Sequence, residues 1–175
     1  FTLKGTIDRM DTCDNAAVIA DYKTGNTTAN LYSMLIGYHL QLIAYLLAVL
    51  RESKNALLPA AILYIYISGD TALSASVPSS PDELDEMPGK ASDFMSGYFN
   101  QDEEIIQNLD HAFLPDSEDT PFIPVNRTKT GKIVKSGKLL TREEFSILEE
   151  KVTQVMGKLH EHIARGDIPI RPARL

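Results

Sequence analysis

Gly5-Thr6-Ile7-Asp8-Arg9 and then Ala17-Val18-Ile19-Ala20-Asp21-Tyr22-Lys23-Thr24-Gly25 are the residues on which the fold turns. Each run reads as a strand. Asp8 lies on the first. Asp21 and Lys23 lie on the second, two residues apart, and side chains two apart in a strand share a face. Two carboxylates and a lysine at one end of a sheet can hold Mg²⁺ and a water beside a phosphate.

The neighbouring sequence supports two paired strands. Residues 1–12 alternate, with Phe1, Leu3 and Ile7 on one face and Thr2, Lys4, Thr6 and Asp8 on the other. That pattern predicts a half-buried strand. Thr12-Cys13-Asp14-Asn15 is turn chemistry. Residues 16–24 then form the second strand, antiparallel to the first, and Gly25-Asn26 ends it.

Residues 29–52 read as one long helix, with Leu31, Met34, Leu35, Tyr38, Leu42, Tyr45, Leu46 and Val49 at three- and four-residue steps. No Asp, Glu, Lys or Arg occurs between 31 and 50, which raises the question of a membrane span. Ser33, Gly37, His39, Gln41 and three tyrosines argue against lipid. A helix apolar nearly all round is instead a central, buried one. Pro59 to Ser68 reads as a central strand. Strand, helix, strand gives a right-handed parallel crossover.

The remainder is less periodic. Residues 69–90 read as a loop. Ile105, Ile106 and Leu109 suggest a short helix within 94–113. Residues 115–139, with three prolines, read as a loop or irregular hairpin. Thr141-Arg142-Glu143-Glu144 is a capping box opening a closing helix through Phe145, Leu148, Val152, Val155, Met156 and Leu159. Gly166 and Pro169 stop it. The expected organisation is a single domain over 1–175, with a core at 1–68, an acidic insertion or loop region at 69–120, and a basic hairpin or loop plus closing helix at 121–175.

Composition narrows the class. A chain of 175 residues with 43% apolar content can bury a core. The single cysteine, Cys13, excludes an internal disulfide framework and a zinc thiolate cluster. No signal peptide is read at the N-terminus, so a cytoplasmic setting is expected. The Asn-x-Thr triplets at Asn26 and Asn126 therefore carry no weight. A first residue other than Met and an abrupt last stretch suggest a piece of a larger protein.

The net charge of −7 by itself argues against nucleic-acid binding. Its distribution says otherwise. Residues 81–120 hold twelve Asp/Glu and one lysine, whereas 126–142 hold six Lys/Arg and no acid. Arg127, Lys129, Lys132 and Lys135 in that basic run are the candidate phosphate contacts.

The chemistry at Asp8, Asp21 and Lys23 has a physical basis. Carboxylates on adjacent strands can share a hard divalent cation, and the backbone carbonyl of Tyr22 can add a ligand. Such an ion acidifies water and screens the attacked phosphate. Lys23 can orient or deprotonate the water, or stabilise charge in the transition state. Asp…Asp-x-Lys alone is a weak signal, since a salt-bridged strand pair has the same residues.

Further residues sharpen it. Gly-Thr-Ile-Asp, then Ile-Ala-Asp-Tyr-Lys-Thr-Gly, then Gln41-Leu42-Ile43-Ala44-Tyr45 in the following helix resembles the RecB-like branch of the PD-(D/E)xK nucleases. Within that branch it most resembles the AddB/RexB family of C-terminal nuclease domains. The match is dense over 3–68 and thin beyond.

The resemblance implies an α/β restriction-endonuclease-like core, a mixed sheet flanked by helices. It would be truncated on its N-terminal side and extended by a C-terminal helix. Asp8 and Asp21 would be metal ligands and Lys23 the catalytic lysine. Gln41 and Tyr45 would position substrate or site, with Tyr22 and Gln41 touching DNA. The family also implies Mg²⁺ or another divalent cation, single-stranded DNA, and an AddA/RexA-type helicase–nuclease protein as partner. The activity would be that of an ATP-dependent exodeoxyribonuclease in double-strand-break repair and recombination.

Departures matter. The family's upstream helix, with its further metal ligand, is not in this sequence. His39, His111, His160 and His162 do not stand where a ligand histidine should. An iron–sulfur cluster, which needs four cysteines, cannot form in this chain. The chain alone is therefore expected to bind metal weakly and cleave poorly. The competing expectation is a non-catalytic, nuclease-like module that docks a helicase or DNA. A restriction-type or junction-resolving nuclease is disfavoured by Gln-x-x-x-Tyr.

Overall fold

Ala16 to Ala20 is an unbroken run of small and β-branched apolar residues, and all five are buried. A strand buried on both faces belongs at the centre of a sheet rather than at an edge. That is where the computed structural model places it. The structure describes residues 2, 4–25, 27–54, 56–67, 95–110, 123, 128, 133–134 and 137–167.

The elements in order are β1 (Arg9–Cys13), β2 (Ala16–Lys23), α1 (Leu31–Leu35), α2 (Gln41–Glu52), β3 (Leu58–Tyr66), β4 (Met95–Asn100), α3 (Glu103–Leu109), β5 (Leu139–Leu140) and α4 (Arg142–Ala164). The five strands form one mixed sheet in the order β1-β2-β3-β4-β5. β1 is antiparallel to β2, β2 parallel to β3, β3 antiparallel to β4, and β4 parallel to β5. The expected hairpin and the parallel crossover from β2 to β3 are both present. So is the mixed sheet flanked by helices.

Strand alternation divides the core in two. Ala17, Ile19, Ile62 and Tyr64 face α2 and α4, meeting Leu42, Ile43, Leu46, Phe145, Leu148 and Val152. Val18, Ala20, Ala61 and Leu63 face the other way, toward Ile105, Ile106 and Ile123. Fully burying one Leu or Ile contributes roughly 1.5–3 kcal/mol, so the α2–α4 layer is the main source of stability. Asp21 and Lys23 continue the odd-numbered face of β2, which puts them on the α2 side.

The long helix expected over 29–52 is two helices. Gly37 has φ +95 and His39 φ +54. The Tyr38 amide donates to the Ser33 carbonyl at 2.8 Å and the Gly37 amide to the Met34 carbonyl at 3.2 Å. This pair of bonds is a Schellman closure of α1, which favours glycine at the left-handed position. Gly37 is the signal of the break, and the apolar run around it conceals it. The break matters because it makes Gln41 the first residue of α2. Among the described residues no helix is long and apolar enough to cross a membrane.

Three other expectations need correction. The half-buried strand over 1–12 is a shorter, exposed edge strand, and Asp8 lies in a bend just before it. β1 stands at the edge of the sheet, and of its residues only Cys13 is not exposed, so little of the described structure covers its faces. The apolar spacing in 94–113 predicts only a helix, yet the region also carries β4. Gly97 and Asn100 weaken the strand pattern there, and pairing with β3 overrides that propensity. Leu139–Leu140, at the end of the expected loop, adds β5.

The capping box is present. Thr141 Oγ1 accepts from the Glu144 amide at 3.0 Å, and Glu144 Oε2 accepts from the Thr141 amide at 2.8 Å. α4 is buried through Met156 and then exposes Leu159 and Ile163. The loop expected at 69–90, and Arg127, Lys129, Lys132 and Lys135, lie outside the described residues.

Candidate active site

β2 runs beyond the end of its partner β1. The last β1–β2 pair is Arg9 with Ala20, whereas pairing with β3 continues to Lys23. The backbone of Tyr22 therefore has no ladder partner on the β1 side. Asp8 fills that place, its Oδ2 accepting from the Tyr22 amide at 3.1 Å. The amide and carbonyl of a strand residue point to the same neighbour, so the Tyr22 carbonyl also faces the Asp8 side. Lys23, one residue on, faces β3, where its carbonyl accepts from the Ile67 amide at 2.8 Å.

Asp21 is 1% exposed. A buried carboxylate needs a cation or donors to offset its lost hydration. Lys23 Nζ contacts Asp21 Oδ2 as an ion pair. Yet among the described residues no hydrogen-bond donor is aligned on that oxygen. The two observations agree: the contact is one of charge and proximity without hydrogen-bond geometry. A buried anionic oxygen in that state is what a divalent cation takes up. Asp21, Asp8 and the Tyr22 carbonyl carry hard oxygen donors, the kind that hard divalent cations prefer.

Among the described residues, no group of three or more His, Cys, Asp or Glu side chains converges to hold a metal. His162 Nδ1 instead lies 2.9 Å from Asp167 at the end of α4, and His111 lies outside the described residues.

Lys23 makes a second contact. Its Nζ donates to Gln41 Oε1 at 3.1 Å. Gln41 Nε2 donates in turn to Tyr45 Oη at 3.3 Å, one turn along α2. The Tyr45 ring packs on Gly5, where a Cβ would stand 3.0 Å from Tyr45 Cε1. Asp21, Lys23, Gln41 and Tyr45 thus form one connected cluster, with Asp8 anchored at the adjoining residue. The Tyr22 side chain is the exception. Strand alternation sends it to the opposite face, where it is exposed. A groove of about 550 Å³ opens beside Gln41 and Tyr45, with walls that include Ile7, Leu40, Met156 and Leu159.

Sequence reasoning does not find Tyr64. It is the cross-strand partner of Asp21, and Lys23 Nζ lies 5.1 Å from its ring centroid. Burial, and then the charge of Asp21, push the Tyr64 phenol up to about 12, so it stays neutral. Nothing in the sequence sets the β2–β3 register, and only the register pairs 21 with 64.

The linker after Lys23 is tied down by residues from β3 and β4. Tyr66 Oη donates to the Thr27 carbonyl at 2.9 Å, and Tyr98 Oη accepts from the Leu31 amide at 3.1 Å. Ser96 Oγ accepts from the Ala29 amide at 3.1 Å. Lys138 Nζ sits over the Tyr98 ring at 4.9 Å, and burial lowers its pKa.

The chain is similar to the B component of ATP-dependent helicase/deoxyribonucleases. It is 36% identical over 178 residues to that protein of Caldanaerobacter subterraneus subsp. tengcongensis, covering 97% of this chain and 15% of the relative. It is 33% identical to the protein of the same name from Clostridium novyi, covering 98% of this chain and 15% of that one. For Thermoanaerobacter pseudethanolicus the identity is 32%, over 99% and 15%. The chain thus spans about 15% of the length of these curated relatives. The family model for the PD-(D/E)XK nuclease superfamily matches residues 1–175. With an Asp-x-Lys strand facing an Asp-bearing edge, and with that match over its full length, the chain belongs to the PD-(D/E)XK nuclease superfamily.

Proposed function

We propose that this chain is a divalent-metal-dependent DNA nuclease domain acting as an exonuclease. It would work on single-stranded DNA within a cytoplasmic bacterial helicase–nuclease complex, in double-strand-break repair and recombination. The partner would be an AddA/RexA-type protein and the ion Mg²⁺. The observation that carries this reading is the Lys23 ammonium held between buried Asp21 and Gln41. A buried acid and a fixed lysine at a strand end, with an oxygen-rich edge beside them, have the chemistry of phosphodiester hydrolysis.

Asp8, Asp21 and the Tyr22 carbonyl would hold the ion. When bound, it acidifies a water and offsets the negative charge of the attacked phosphate. Lys23 orients the nucleophile and stabilises the charge that builds on phosphate oxygens. Gln41 keeps Lys23 from wandering, and Tyr45 orients the Gln41 amide. The groove beside them can receive the base of the strand being cut.

The test is Mg²⁺-dependent cleavage of end-labelled single-stranded DNA by a complete helicase–nuclease carrying this domain. Asp21→Ala and Lys23→Ala should each lower cleavage by about a hundredfold or more, with ATPase activity and folding retained. Wild-type cleavage by both variants would overturn the assignment and leave a docking module.

A further inference from the structure

Among the described residues, three groups surround the Lys23 ammonium: Asp21 Oδ2, Gln41 Oε1 at 3.1 Å, and the Tyr64 ring at 5.1 Å. They are not equivalent. Asp21 is the oxygen that a divalent ion would claim. Gln41 is exposed and borders the groove. Tyr64 is 2% exposed and locked into the α2-side core. Its backbone is fixed opposite Asp21 in the parallel register. An ammonium within about 6 Å of a ring centroid is attracted by the negative face of the ring.

We propose that the ring of Tyr64 is the permanent seat of Lys23, the contact that keeps the ammonium in place when Asp21 turns to a cation. Tyr64 is then a positioning residue for the nuclease. Its catalytic consequence rests on the function proposed above, whereas the seat itself does not.

The argument is one of competition. Lys23 and a divalent ion cannot both neutralise Asp21 Oδ2 from the same side. Once the ion claims Asp21, the only other polar contact described for the ammonium is Gln41, an exposed side chain at the edge of the groove. A ring buried in the core gives the ammonium a site that the ion does not contest, because Mg²⁺ takes oxygen ligands. A Leu or Ile at 64 would fill the core but offer no such face.

The experiment uses a complete helicase–nuclease carrying this domain, with ¹³Cε-labelled lysine, observed by NMR without Mg²⁺ and with Mg²⁺ at a concentration that supports cleavage. Lys23→Arg assigns the signal. In the wild type the Lys23 Hε resonances should be shifted upfield by the ring and stay so when Mg²⁺ is added. Tyr64→Phe should keep the shift and Tyr64→Leu should lose it.

In the complete helicase–nuclease, Tyr64→Leu should lower kcat about tenfold with KM for single-stranded DNA unchanged. Tyr64→Phe should restore it. Lys23 resonances at ordinary positions in the wild type would overturn the proposal, as would loss of their shift on adding Mg²⁺. These two outcomes need no variant at position 64, so they hold even if Tyr64→Leu fails to fold. A wild type that does not cleave DNA but keeps the shifted lysine would sink the nuclease reading and leave the seat standing.

Discussion

Gln41 Oε1 accepts a hydrogen bond from Lys23 Nζ at 3.1 Å, joining the last residue of β2 to the first of α2. The contact exists because α1 stops at Leu35 and the chain restarts its helix at Gln41. Hydrogen bonds to a charged group contribute about 1.5–3 kcal/mol. Gln41→Ala should therefore lower single-turnover cleavage of single-stranded DNA by about ten- to a hundredfold, with the melting temperature little changed.

Tyr45 supports Gln41 through a neutral hydrogen bond at 3.3 Å, worth about 0.5–1.5 kcal/mol. Tyr45→Phe should cost about two- to tenfold in the same assay. Gly5→Ala places a Cβ 3.0 Å from Tyr45 Cε1 and 3.3 Å from its hydroxyl, so the ring must yield. The two substitutions act through one contact and should be non-additive in the double variant.

Asp21 should be the residue through which Mg²⁺ stabilises the fold. Free ligand at about 100 times its Kd adds about 2.7 kcal/mol. Thermal melts of the wild type should rise with Mg²⁺ concentration, and those of Asp21→Asn should not. A matching rise in the variant would place the ion elsewhere.

Glu149 on α4 has its pKa raised above the ordinary 4.5 by burial, with nearby Arg51 opposing the shift. The folded state therefore holds the proton more tightly than the unfolded chain. Stability from this group is full below about pH 4.5 and is lost as pH rises through the folded-state value. Glu149→Gln should be more stable than wild type at pH 7, and the difference should vanish at low pH in paired denaturant titrations.

Gly97 in β4 lies so close to β3 that a Cβ there would meet the Ile62 carbonyl oxygen at 2.1 Å. Backbone cannot move aside as a side chain can. Gly97→Ala should destabilise the domain by about 3 kcal/mol, read as a lowered urea midpoint.

Legibility followed the range of the interactions. The capping box of α4, the β1–β2 turn and the buried run of β2 depend on residues near one another, and each stands where the sequence indicates. The elements the sequence hides have distant causes. β4 is a strand because β3 offers it an edge, although Gly97 and Asn100 are poor strand formers. The break at Gly37 is hidden because apolar residues on both sides keep helical spacing.

The sequence alone determined that Asp21 and Lys23 share a face, because alternation is a property of one strand, and that Gln41 and Tyr45 share one, because they are a turn apart. Tertiary structure decided the rest. It joined Lys23 to Gln41 by ending α1 early. It gave Asp8 to the Tyr22 amide by ending β1 short of β2. It put Tyr64 under the lysine by fixing the β2–β3 register. Each of these contacts joins residues on different elements, and their alignment is set by how whole faces pack rather than by any residue's own preference.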